Sequence, residues 1–177
     1  MESTDEENAH FFKTCGIEIT LEGVEMPENI AVSHSVPENI KEFATQCKYG
    51  STGDVVINIG GKIVLANREI LSSRIPYFKS LFHSEMIESD GKVNLSNDFC
   101  EFGLTTINIL LEYAYTGQLT ISTTNVQDLI LGAQFLGMET VVNECAEFMR
   151  RRLSIDNILS IISLCKTVGC REIDFHL

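Results

Sequence analysis

The chain has 177 residues, 44% of them apolar and 21% charged, with a formal net charge of −12. That composition supplies a buried core, which speaks against a disordered chain, and the length suits one compact domain with an appendage instead of two full domains. The acidic excess leaves no basic stripe able to neutralise several phosphates, so no nucleic-acid partner is expected.

Residues 1–34 carry Glu2, Asp5, Glu6, Glu7, Glu18, Glu22, Glu25 and Glu28 against Lys13 alone, without sustained helical periodicity. They are expected to form an acidic, mobile arm. The N-terminus is acidic where a signal peptide is basic, and no apolar run approaches the ~18 to 20 residues of a spanning helix. The expectation is a protein of the cytoplasm, the nucleus or both, with no membrane partner. Within the arm, Gly16-Ile17-Glu18-Ile19-Thr20-Leu21-Glu22 alternates apolar and polar residues, so a short strand can form there if a partner edge is available.

Ser35-Val36-Pro37-Glu38 combines a capping serine, a proline near the first helical position and a glutamate three residues after the serine. A helix from about Pro37 to Tyr49 follows, with Ile40, Phe43, Ala44 and Cys47 on one narrow apolar face. Gly50 to Gly53 break it. Asp54-Val55-Val56-Ile57-Asn58-Ile59 is short and β-branched, as a buried strand is, and Gly60-Gly61 permits a two-residue hairpin returning through Lys62 to Leu65. Gly61-Lys62 is not a phosphate loop, because Val56 stands where GxxxxGK[ST] needs its first glycine and Ile63 where it needs a hydroxyl.

Helices are predicted from about Ala66 to Ser73 and from Pro76 to Phe82, then a strand at Lys92-Val93-Asn94-Leu95. Asp98-Phe99-Cys100-Glu101 reads as a capping box before the stripe Leu104, Ile107, Leu110, Leu111 and Ala114, which Gly117 ends. Thr124-Asn125-Val126-Gln127 opens a further helix with Val126, Leu129, Ile130, Ala133 and Leu136 on one face, and Gly137 stops it. Two more stripes run from Met138 to Leu153 and from Ile155 to Cys165. Arg150-Arg151-Arg152 falls at a predicted helix end, where cations complement the dipole. Short links force antiparallel helices to pack together, so the fold class is α+β, a small sheet on the N-terminal side covered by a helical cluster.

Six cysteines (Cys15, Cys47, Cys100, Cys145, Cys165, Cys170) occur without a CxxC pair, and most fall on predicted apolar faces, where a reduced thiol behaves as a small hydrophobe. His10, His34, His83 and His176 show no spacing that converges on zinc. With no Ser/His/Asp order, no metal set and no phosphate loop, the sequence predicts no catalytic residue, no metal and no cofactor.

Four blocks stand in order along this frame. They are Asp54-Val55-Val56-Ile57; Ala66-Asn67-Arg68-Glu69-Ile70-Leu71; Pro76-Tyr77-Phe78-Lys79-Ser80-Leu81-Phe82; and Glu112-Tyr113-Ala114-Tyr115-Thr116-Gly117 with Leu119. Together with Asn125-Val126 and Leu129 they resemble the BTB/POZ domain, most closely the BTB-plus-helical-extension region of kelch-like and speckle-type ubiquitin-ligase adaptors. The resemblance covers about residues 36–153. It implies a BTB/POZ fold over 35–153, preceded by the arm at 1–34 and followed at 154–177 by the opening helices of a BACK-like extension.

The resemblance also implies function. In the family the helix before the first strand commonly makes a homodimer, which assigns Ile40, Phe43 and Cys47 to a dimer interface. Members that bind cullin-3 carry a hydrophobic-x-Glu motif after the YF-x-x-x-F helix, matched here by Met86-Ile87-Glu88, and Tyr113 joins Met86 and Glu88 as a cullin-binding residue. The implied role is an adaptor of a cullin-3 ubiquitin ligase that presents an unidentified substrate protein. The alternative is an assembly or transcriptional scaffold that oligomerises without a cullin. Two departures stand out: Gly60 occupies a turn position where many members have Asp, and Asn67 a position where they have His. Loss of that Asp implies that Arg68 lacks its acidic partner and that a corepressor groove is not formed.

Overall fold

The computed structural model describes residues 21, 27–46, 50–59, 62–83, 92–94 and 103–168, apart from the side chains of Phe43, Thr45, Gln46, Ile59 and residues 92–94. In chain order the elements are β1 Asn29–Ser33, α1 Glu38–Gln46, β2 Val55–Ile59, β3 Lys62–Ala66, α2 Arg68–Arg74, α3 Pro76–His83, β4 Lys92–Asn94, α4 Leu104–Thr116, β5 Gln118–Ser122, α5 Val126–Phe135, α6 Glu139–Arg150 and α7 Ile158–Val168.

β2 buries Val55 and Ile57 completely while Val56 and Asn58 stay half-buried, the alternation of a strand with one face on the core. It pairs antiparallel with β3, Val55 opposite Ala66 and Ile59 opposite Lys62, so the hairpin closes over two residues as the glycine pair predicts. β4 lies parallel on the other side of β2, giving the order β3-β2-β4.

A second, two-stranded sheet joins β1 to β5, from Asn29 opposite Ser122 to Ser33 opposite Gln118. The last residues of the acidic N-terminal segment thus form a strand. Ile30 and Val32 pack half-buried against the core while Asn29, Ala31 and Ser33 face outward. β5 alternates likewise, with Leu119 and Ile121 buried. The alternating segment Gly16–Glu22 lies outside the described residues except for Leu21, which is buried in the core.

Ala66 belongs to β3, not to the helix that follows. Asn67 is the N-cap of α2, its Oδ1 accepting the Glu69 N–H at 3.1 Å, an interaction worth about 1 kcal/mol in such positions. α4 begins at Leu104 after Gly103, later than the capping pattern at Asp98–Glu101, which lies outside the described residues. Gly117 ends α4 as expected, left-handed at φ +67°, its N–H donating to the Tyr113 carbonyl. Its own carbonyl accepts the His34 N–H at 2.8 Å, fastening the end of β1 to the end of α4.

α4 runs through the centre, burying Ile107, Leu110, Leu111 and Ala114; α5 packs on α4 and α6 on α5, with Leu129, Ile130, Ala133, Val141, Val142, Cys145 and Phe148 buried. At the end of α6 the three arginines part company. Arg150 and Arg151 both clasp Glu147, with nitrogen to oxygen distances of 2.6 and 2.7 Å, whereas Arg152 turns inward and is 2% exposed. The hydrogen bonds from Arg150 and Arg151 hold the Glu147 carboxyl down at about 2, from 4.5. A depressed carboxylate stabilises the fold above the unfolded value and ceases to do so as pH falls through the folded one. Because Glu147 is well exposed, the contribution is at most about 1 kcal/mol. The stability gap between the wild type and Glu147→Gln, read by thermal melts, is expected to close as pH falls from about 4.5 to about 2. A gap independent of pH over that range would remove the pincer's role.

Candidate interaction surfaces

α3 is held on two sides. Pro76 opens it, where a missing N–H costs nothing, and packs against Gly137, whose φ of +72° turns the α5–α6 corner. The Tyr77 N–H donates to the Leu136 carbonyl at 3.2 Å, and the Tyr77 ring sits 5.3 Å from Phe135 and 5.4 Å from Phe78, which in turn lies 5.7 Å from Phe82. Such edge and tilted contacts add to the burial of the rings. α3 therefore ends at His83 on a fixed platform. Met86 and Glu88, the motif residues that follow, lie outside the described residues.

Arg68 opens α2 beside this platform. Its guanidinium stands 4.8 Å from the Phe82 ring centre, a cation–π contact, while the backbone N–H of Arg68 donates to Asp54 Oδ1 at 2.8 Å. Asp54, just before β2, thus holds the main chain at the start of α2. Sequence distance hid the pairing: the hairpin folds Asp54 back onto the start of α2.

Tyr113 is 5% exposed and already engaged. Its hydroxyl lies 3.1 Å from His34 Nδ1, and His34 Nε2 lies 3.2 Å from Glu144 Oε1. Glu144 as a carboxylate only accepts, so His34 donates from Nε2, and the sense of the Tyr113–Nδ1 bond follows the state of the ring. Burial pushes the Tyr113 hydroxyl up, the nearby Arg74 pulls it down and Glu144 pushes it up again; the net rise keeps it protonated. This relay ties β1, α4 and α6 together. Neither His34 nor Glu144 carried a signal in the sequence, because the three residues meet only in the fold.

Of the three residues expected at a dimer interface, Ile40 is 3% exposed within its own chain. It faces the core, where α1 meets α4. Phe43 lies on α1 with its side chain outside the description, and Cys47 lies beyond the described residues. An open groove of about 490 Å³ runs where β1 and β5 meet α4, with Val32, Ile109 and Leu119 along it and Glu112, Thr116 and Ser33 also lining it. Two apolar side chains stand out in solvent after α6: Ile155, 95% exposed, and Leu159, 78% exposed. At i and i+4 they share one side of the α7 entry.

The family model for the BTB/POZ domain matches residues 43–153. Human Kelch-like protein 28 is 32% identical over 120 residues, an alignment that spans 68% of this chain and 20% of that protein. The chain therefore covers about a fifth of that relative's length. Among solved structures, the BTB (Tramtrack and Bric a brac) domain of human Gigaxonin superposes with a TM-score of 0.52 at 18% identity, covering 66% of this chain and 97% of that one. The BTB domain of zebrafish PATZ1 does so with a TM-score of 0.53 at 21% identity, covering 67% and 99%. A mixed architecture of small sheets and packed helices, the same fold in both solved domains, and a family match over more than half of the sequence agree: the chain belongs to the BTB/POZ family, related to the kelch-like proteins.

Proposed function

We propose that this chain is a non-catalytic adaptor that pairs with a second copy of itself and docks cullin-3, in the cytoplasm or nucleus, on behalf of a substrate protein. The observation that carries the reading is the exposed pair Ile155 and Leu159, just past the matched domain. Two large apolar side chains left in water on a domain with a full core are what a docking surface presents. Met86 and Glu88 supply the second contact in this reading: a flexible Met fills an irregular apolar pocket, and a carboxylate fixes orientation. For self-association the β1–β5 sheet, two-stranded among the described residues, and the adjoining groove are the better surface, since Ile40 faces the core.

Light scattering and calorimetry with the cullin-3 N-terminal domain test this. The wild type is expected to form a complex that Met86→Ala/Glu88→Ala weakens by about tenfold or more, the effect of one or two hot-spot side chains. Ile155→Asp/Leu159→Asp is expected to weaken it comparably without loss of stability, because both positions are exposed. A wild type that binds no cullin, or variants that bind as well as it does, would sink the adaptor reading.

A second reading, a transcriptional scaffold that oligomerises without a cullin, draws on the groove where β1 and β5 meet α4, a surface that serves self-association alone. Self-association with no cullin complex in the same experiment is its signature.

A further inference from the structure

Arg152 is 2% exposed, and no carboxylate meets it among the described residues. One guanidinium nitrogen donates to the Phe148 carbonyl at 3.0 Å and the other to the carbonyl of Pro27, two residues before β1. The guanidinium carbon rests 3.4 Å over the Phe148 ring. The main chain of Arg152 is gripped in turn: its carbonyl accepts from Asn157 Nδ2 at 2.9 Å. Asn157, itself 2% exposed, also accepts the Ser154 N–H at 2.8 Å and so shapes the turn into α7. The Ile161 N–H then bonds to the Asn157 carbonyl at 3.0 Å.

A cation taken out of water costs several kcal/mol of hydration, offset only when every acceptor is in place. Here the acceptors are carbonyls and a ring face, and one of the two carbonyls belongs to the N-terminal segment. If that segment leaves, the guanidinium has lost half of its hydrogen-bond acceptors in a dry site and must turn toward water. Turning disturbs the residue whose carbonyl holds Asn157, and with it the first turn of α7.

We infer that Arg152 couples the N-terminal strand to the C-terminal helix, so that release of β1 loosens the start of α7 and fixing the start of α7 holds β1 in place. The coupling is reciprocal, as any linkage between two equilibria is. Ile155 and Leu159 ride on the coupled turn, so a partner that grips them favours a docked β1, and whatever captures β1 weakens that partner's hold. This last consequence rests on the docking role proposed above; the link between strand and helix does not.

Hydrogen exchange on the full chain, with no cullin present, tests the link separately from docking. Val32→Asp places a charge on the inward face of β1 and releases it. In the Arg152 background this is expected to speed exchange of the Ile158 and Ile161 amides by about tenfold, inside the range of ordinary coupling energies. Amides of Leu110 to Ala114 in α4 should keep their protection. In Arg152→Met the α7 amides should already be fast, and adding Val32→Asp should change them by about twofold at most, as expected when the link is gone. If Arg152→Met costs α4 its protection, Arg152→Lys, which keeps the charge but not the two-carbonyl fork, takes its place in the same cycle. Unchanged α7 amides in Val32→Asp, or an equal acceleration with and without Arg152, would overturn the coupling.

Discussion

Phe148→Ala is expected to lower the free energy of unfolding by about 3 to 5 kcal/mol, the range for emptying an aromatic site in a packed core. Phe148 is fully buried on α6, and its truncation removes both the ring under the Arg152 guanidinium and the packing around it. The loss should exceed that of an aromatic whose neighbours are all aliphatic, because a ring face over a dry cation is worth about 2 kcal/mol on its own. Urea denaturation reads it as a fall in midpoint at constant slope. Phe148→Leu refills most of the volume but offers no π face, so its deficit relative to the wild type reports the cation contact and its gain over Phe148→Ala the cavity. A Phe148→Ala variant that loses about 1 kcal/mol or less would mean that the site collapses around the gap.

Gly117→Ala is expected to cost about 2 to 5 kcal/mol, from a left-handed backbone worth about 1 to 2 and overpacking worth about 1 to 3. Gly117 has φ +67°, and a Cβ there would run into the His34 carbonyl and the Val36 side chain. Gly50→Ala is the natural control: its φ is +79°, but a Cβ would meet nothing within 4 Å. The difference between the two variants in thermal or chemical melts therefore reports the close passage of the β1 exit over the end of α4. Equal losses at both positions would show that the backbone conformation alone matters and that His34 yields without cost.

The helical half of the molecule was legible because α4 to α6 span ten residues or more, long enough for a 3.6-residue stripe to declare which side is buried. Gly117 and the β2–β3 hairpin were legible for a local reason, since a helix end and a two-residue link are each decided within a few residues. β1 and β5 were not. Five residues of mild alternation mean little without a partner, and each strand's partner lies far away in the sequence. α1 shows a different limit: a narrow apolar stripe on a nine-residue helix looks the same whether it meets its own core or another chain, and Ile40 turned out to meet the core. Arg152 carried no signal at all. In a run of three arginines, nothing local marks the one that abandons solvent. Of the docking residues, Met86 and Glu88 were readable only through family likeness, while the His34 and Glu144 partners of Tyr113 required the tertiary structure.

The pairing of β1 with β5 also bears on how the molecule is made. Between them the chain must complete α1 to α4 and the whole three-stranded sheet. Contacts between such distant segments form late, because the loop they close is long and its entropy is lost before any pairing repays it. On the ribosome β1 is made before β5 and waits, its backbone hydrogen-bonded to water, until β5 has been synthesised. Closure of this sheet is therefore expected to be among the last steps of folding.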